Sequence, residues 1–125
     1  MAVTHPTAVR TAVADFIVDQ LDEGTPPGKL MIQTAGSVEV ALLTFANPAF
    51  GAAAAGVATA GAIVSDTNAD GGTATKAELR NAAGTAKILC SVTATGGGGD
   101  IQLSSVVISA GQTVSISSLT YKAMP

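Results

Sequence analysis

"KLMIQTAGSVEVALLTF", Lys29 to Phe45, decides the fold class. Its two arms, Lys29–Thr34 and Val38–Phe45, carry apolar residues with a period of two, and Ala35-Gly36-Ser37 lies between them. Such runs mark half-buried strands, and a short Gly-containing connection between two of them marks a β-hairpin. The chain from Lys29 onward is therefore read as β.

The pattern recurs toward the C-terminus. Asn47-Pro48 opens a loop, Phe50–Gly56 is a low-complexity stretch of very small residues, and Val57–Ser65 predicts a third strand. In Thr73–Asn81, Thr75, Ala77 and Leu79 alternate with Lys76, Glu78 and Arg80, so this strand has one wet face. Thr85–Thr93 is expected to pair with it across Ala82-Ala83-Gly84. After the Gly-rich loop Thr95–Asp100 come Ile101–Ile108 and Thr113–Lys122. Five or more short strands spaced by Gly, Asn and Asp turns predict a mainly β fold, a small antiparallel β-sandwich or barrel-like domain.

Upstream of the hairpin the period is helical. Val9, Ala12, Val13, Phe16, Ile17 and Leu21 fall on one stripe, predicting an amphipathic α-helix over Pro6–Asp22. Pro6 suits a first helical turn, with Thr4 or His5 as the cap, while Gly24 and Pro26-Pro27 stop the helix. Asp15, Asp19, Asp22 and Glu23 crowd its C-terminal half, against the helix dipole. Packing must then hold it, so Val13, Phe16, Ile17 and Leu21 are expected to be buried against the sheet or a neighbouring subunit. A core ring at Phe16 would lose about 3–5 kcal/mol on truncation to Ala. The 125 residues read as one domain: an arm over 1–5, a helix over 6–22 and a β-domain over 29–125.

Composition limits the partners. Only 3% of residues are aromatic, and charged residues reach 12%, about half the usual share. A surface so poor in charge and rich in Ala, Thr, Ser and Gly is suited to contact with other chains. A net charge of −3 with six dispersed cations excludes a nucleic-acid binder. No signal peptide is read at the N-terminus, and Ala49–Val64 is too short and small-sided to span a membrane, so synthesis in the cytoplasm is expected.

Candidate chemistry is thin. In "SDTNADGGT", Asp66, Asn68, Asp70 and Gly71 stand where a calcium loop places its first ligands and its turn. Position twelve is Ala77, however, with Glu78 one residue late, and strands rather than helices flank it. A hairpin turn is the expected role. "TGGGGD" lacks the Lys-Ser/Thr and the helix of a phosphate loop. His5 is the sole histidine, and Cys90, the sole cysteine, reads as a buried inert thiol in "KILCSV". Asp66, Asp70 and Asp100 are the loop carboxylates that could meet, but a glycosidase cleft would add rings the chain lacks. No catalytic, cofactor-binding or metal-ligating residue is assigned, and no enzyme is expected. "ANPAFGAAAAGVATAG" has two readings: a passage where only small side chains fit, or a flexible segment that orders against another surface.

Three stretches carry a resemblance across nearly the whole chain: "MAVTHPTAVRTAVADFIVDQLDEG", "LLTFANPAFGAAAAGVATAGAIVSDTNADGGTATKAEL" and "DIQLSSVVISAGQTVSISSLTYKAMP". They resemble small virion structural proteins of tailed bacteriophages, and within these the capsid decoration (cement) type. The resemblance implies a homo-oligomer, a trimer by analogy, seated on the major capsid protein at the outer capsid surface, with no cofactor and no site residues. Other roles it leaves open are a tail or head-fibre component and a ligand-binding β-module for host attachment. The arm Met1–Thr4 and the segment Ala46–Gly56 are the expected shell contacts.

Overall fold

In the computed structural model, which describes residues 3–24, 27–116 and 118–122, the decisive hairpin is formed. Strands β1 (Lys29–Gln33) and β2 (Glu39–Thr44) run antiparallel, with Leu30 opposite Leu43 and Ile32 opposite Ala41. The turn closes through Thr34 N–H to Val38 O at 2.9 Å, and Ser37 rather than Gly36 takes the positive φ of 68°. The register slips between Ile32 and Gln33, leaving Val40 as an extra residue on β2. Val40 and Ala41 are both buried as a result.

β1 also pairs antiparallel with β5 (Lys76–Arg80), and β5 with β6 (Ala86–Ala94). The pairings align Leu43, Leu30, Leu79 and Ile88 across one face, with Ala41, Ile32, Ala77 and Cys90 as the next row. This is the core face. Met31, Leu42, Glu78 and Leu89 form a row on the other face, where Glu78 pairs with Arg80. The expected wet face of β5 is therefore present.

The fifth strand, β7 (Ile101–Leu103), joins β6 in parallel, giving the order β2-β1-β5-β6-β7. Parallel neighbours ordinarily need a crossover of a dozen residues or more. Here a six-residue connection suffices, because Gly97 and Gly99 fold against Thr93. A Cβ on either would come within 2.8 Å of the Thr93 side chain, and Gly99 N–H donates to Thr93 Oγ1 at 3.0 Å.

Two small pairs complete the curled, mainly β domain: β3 (Val57–Thr59) with β9 (Thr120–Lys122), and β4 (Gly72–Thr73) with β8 (Val107–Ile108). Three expected strands are shorter than their sequence pattern. Val57–Ser65 keeps only β3 plus isolated bridges at Ala60 and Val64, and Thr113–Lys122 keeps β9 and a bridge at Val114. Ile101–Ile108 breaks between β7 and β8. At the break before β5, Ala74 N–H donates to Val106 O and Thr75 N–H to Gln33 O, so the chain there bonds two different neighbours and cannot stay in one ladder. Phe45 and Phe50, with ring centroids 6.0 Å apart, centre the core together with Leu30, Leu43, Leu79, Val18 and Leu21.

The helix α1 (Thr7–Asp19) continues as a 3-10 turn over Gln20–Asp22. Pro6 takes the N-cap place and makes no side-chain cap bond, in contrast to the expected cap at Thr4 or His5. The buried edge is Ala14, Val18 and Leu21. Of the two expected seats, the sheet does not bury Val13, Phe16 and Ile17: Phe16 is 66% exposed, Val13 38%, and Ile17 is only half-buried, whereas Leu21 is buried as expected.

The reason is polar. Thr11 and Asp15 sit beside the buried edge, where they fasten the small-residue segment: Gly56 N–H donates to Thr11 Oγ1 at 3.0 Å and Ala53 N–H to Asp15 Oδ1 at 2.7 Å. Asp22 Oδ1 accepts Ala49 N–H at 2.9 Å. Rotating α1 to bury Phe16 would break these bonds and strand backbone donors. Within this segment the small-side-chain reading holds at Gly56, while Gly51, Ala52, Ala54 and Ala55 stay exposed. A Cβ on Gly56 would stand 3.1 Å from Arg10 Cβ.

Candidate interaction surface

The helix turns apolar residues outward as well as inward. Ala8, Val9, Ala12, Val13 and Phe16 line one open apolar surface on the side of α1 away from the core. At 100° per residue these five positions span roughly 140° of the helix circumference, and their centre lies nearly opposite that of Ala14, Val18 and Leu21. Both faces of α1 are therefore apolar, and one has no cover among the described residues. Isolated exposed hydrophobics are ordinary, but a contiguous strip of this kind marks a contact surface.

The acids near the helix end now separate by role. Asp15 and Asp22 accept backbone N–H groups, and Glu23 pairs with Lys87 at 2.9 Å. Asp19 is exposed at the C-terminal end of the apolar strip and makes no such bond among the described residues. The N-terminal end has no acid in its first turn and no side-chain cap. The strip therefore runs from the positive end of the helix dipole to a lone carboxylate.

The Asp66–Gly72 stretch is a built connection. Asp66 Oδ1 accepts Asn68 N–H and Oδ2 accepts Leu42 N–H, each at 2.9 Å. Gly71 adopts φ 88° and donates to Val40 O, while Ala69 N–H donates to Gln112 O. Ala77, the twelfth position, is buried in β5, and Glu78 is committed to Arg80. Among the described residues, no group of three or more His, Cys, Asp and Glu side chains is arranged to hold a metal ion.

The structure brings one unforeseen carboxylate to this loop. Glu39 has its ordinary value raised by burial, then by a hydrogen bond and like charge from Asp70, with Asp66 adding and Arg80 opposing. Asp100 does not join Asp66 and Asp70. It lies beside β6, where its Oδ2 accepts Ser91 N–H at 3.0 Å. Cys90 is half-buried on the core side of β6, and burial, with Asp100 adding, pushes its thiol up to about 11. A thiol so held is a poor nucleophile. His5 is exposed ahead of the helix.

No family model, curated protein or solved structure matches this chain.

One buried polar atom stands apart. Gln33 is 3% exposed, and its Nε2 reaches Met31 Sδ at 3.3 Å and Glu78 Oε1 at 3.5 Å, but its Oε1 takes no donor among the described residues. No helix among them is long and apolar enough to cross a membrane. The sequence placed an apolar stripe on α1, with the sheet or a neighbouring subunit as its seat; the fold buries Leu21 and turns Val13 and Phe16 away from the sheet. The available signal was Thr11 and Asp15, polar residues that flank the competing stripe Ala14, Val18 and Leu21.

Proposed function

We propose that this chain is a structural protein of a tailed-phage virion, a homo-oligomer that binds the outer face of the capsid shell and stiffens it. The observation that carries the reading is the uncovered apolar strip Ala8–Phe16 on a domain whose own core is already filled. Such a strip adds little to the isolated fold, and its use lies in contact with another chain. The low charge and the sequence resemblance supply the setting. The Ala46–Gly56 segment, fastened to α1 yet exposed at Asn47, Pro48, Gly51, Ala52, Ala54 and Ala55, is a second candidate shell contact, and half of the Met1–Thr4 arm lies outside the described residues.

Many weak contacts on a lattice reinforce one another through high effective concentration, so shell binding needs no single strong site. The test is to coat shells that lack the protein with purified chain and heat coated and bare shells together. Coated shells should open at a higher temperature. Equal opening temperatures at full occupancy would refute reinforcement.

A further inference from the structure

We infer that the outward strip of α1 is the seat of a second copy of the same helix, packed antiparallel about a twofold axis near Ala12 and Val13. The inference deepens the assembly reading and rests on it only in holding that copies meet; shell binding is measured apart.

Size complementarity fixes the direction. About an axis between positions 12 and 13, each residue faces the one whose number makes the sum 25. Phe16 then lies over Val9, and Val13 over Ala12. Each larger side chain meets a smaller one, and the alanines let the helices approach closely. A parallel pair would instead set Phe16 on Phe16 and leave Ala8 against Ala8.

Charge fixes the same direction. Antiparallel packing brings Asp19 to the partner's Pro6 end, where the first turn has no acid and no side-chain cap. Each carboxylate then meets the positive end of a helix dipole, and the contact occurs twice by symmetry. A parallel pair would oppose Asp19 to Asp19. The acids at the end of α1 also disfavour a lipid surface, since helices that lie on membranes carry Lys and Arg along their polar rim.

Area sets the strength. A 13-residue helix is about 20 Å long, and one face of it falls short of the ~800 Å² per partner of a standard interface. The pair is therefore weak, dissociating on dilution and holding where neighbours fix it.

The experiment is single-cysteine crosslinking in a Cys90→Ser background, beside sedimentation over a concentration series. In the antiparallel pair, Ala12→Cys places its two sulfurs near the axis, whereas copies of Ala8→Cys stand about 13 Å apart along it, beyond disulfide reach. Ala12→Cys should crosslink to a dimer at least tenfold faster than Ala8→Cys. Phe16→Glu should keep the circular dichroism spectrum and remain monomeric at concentrations where the parent chain is dimeric. Equal rates for the two cysteine variants, a trimer in sedimentation, a monomer at every concentration, or a monomer that floats with anionic vesicles would each overturn the pairing. Shell occupancy separates the two proposals. A dimer that leaves shells bare supports the helix pair while removing shell binding, and a monomer that coats them overturns the pair alone.

Discussion

Leu21→Ala and Phe16→Ala, compared in one dilute sample series, test the orientation of α1. Leu21 is fully buried in the core cluster, so its truncation removes three carbons from a packed site. Such changes cost about 2–5 kcal/mol, and about 3 is expected here because the 3-10 turn that carries Leu21 is tied down by Asp22 to Ala49. At roughly 4 °C per kcal/mol for a domain of this size, the midpoint should fall by about 12 °C. Phe16 is 66% exposed, so a third of a ring side chain of about 200 Å² is covered, or ~70 Å². At ~25 cal/mol/Å² that amounts to about 1.7 kcal/mol, from which a gain of about 0.5 in helix propensity is subtracted. The net loss is about 1 kcal/mol, or ~4 °C, well under the 3–5 kcal/mol expected of a core ring. The assay is urea unfolding followed by circular dichroism at low micromolar protein. A loss of 3 kcal/mol at Phe16, or of less than 1 at Leu21, would refute this orientation. Raising the concentration should enlarge the Phe16 effect alone, because pairing adds to the stability of the parent chain.

Three further outcomes follow from side chains already placed. Glu39 titrates above its ordinary value in the fold, so its contribution to stability is complete below that value and is lost as pH rises through the raised one. Glu39→Gln should flatten the decline of the melting midpoint over that window, and an unchanged slope would contradict the cause assigned. Cys90, pushed from 9.0 to about 11, should carry about 100-fold less thiolate than in the unfolded chain, so alkylation at pH 8 should be slower in the fold by a similar factor. Reaction at the unfolded rate would contradict its burial. Gln33→Met removes a buried acceptor that has no donor, at nearly constant volume, and should leave stability unchanged or raise it by up to about 1 kcal/mol. A loss above that, in the same urea assay, would show that the long Nε2 contacts matter more than the orphaned oxygen.

The sequence carried the hairpins well, because their signal is local. Alternation in Lys29–Phe45 and Lys76–Arg80, with turns at Ala35–Ser37 and Ala82–Gly84, survives in β1, β2, β5 and β6. The strand breaks near Ala74 and Ser104 were not legible, since Ala, Ser and Thr fit a strand and a bend equally well. The parallel β6–β7 pair depends on two glycines closing on Thr93, a contact that only the folded chain reveals. On α1 two apolar stripes competed, and the more hydrophobic one is not the one that faces the core. Leu21 belongs to the true core edge, whereas Val13 and Phe16 do not. The choice was made by backbone donors at Ala53 and Gly56, distant in sequence, that required Asp15 and Thr11 on the inner side. The stripe was thus visible in the sequence, which left open whether the sheet or a neighbouring subunit covers it.

Electron cryo-microscopy of virions assembled with and without this chain tests the central claim most directly. The account expects added density of a size fitting a domain of 125 residues, repeated over the outer shell lattice, with copies meeting through helices at local twofold positions. Density confined to the tail, or shells identical in both preparations, would contradict it.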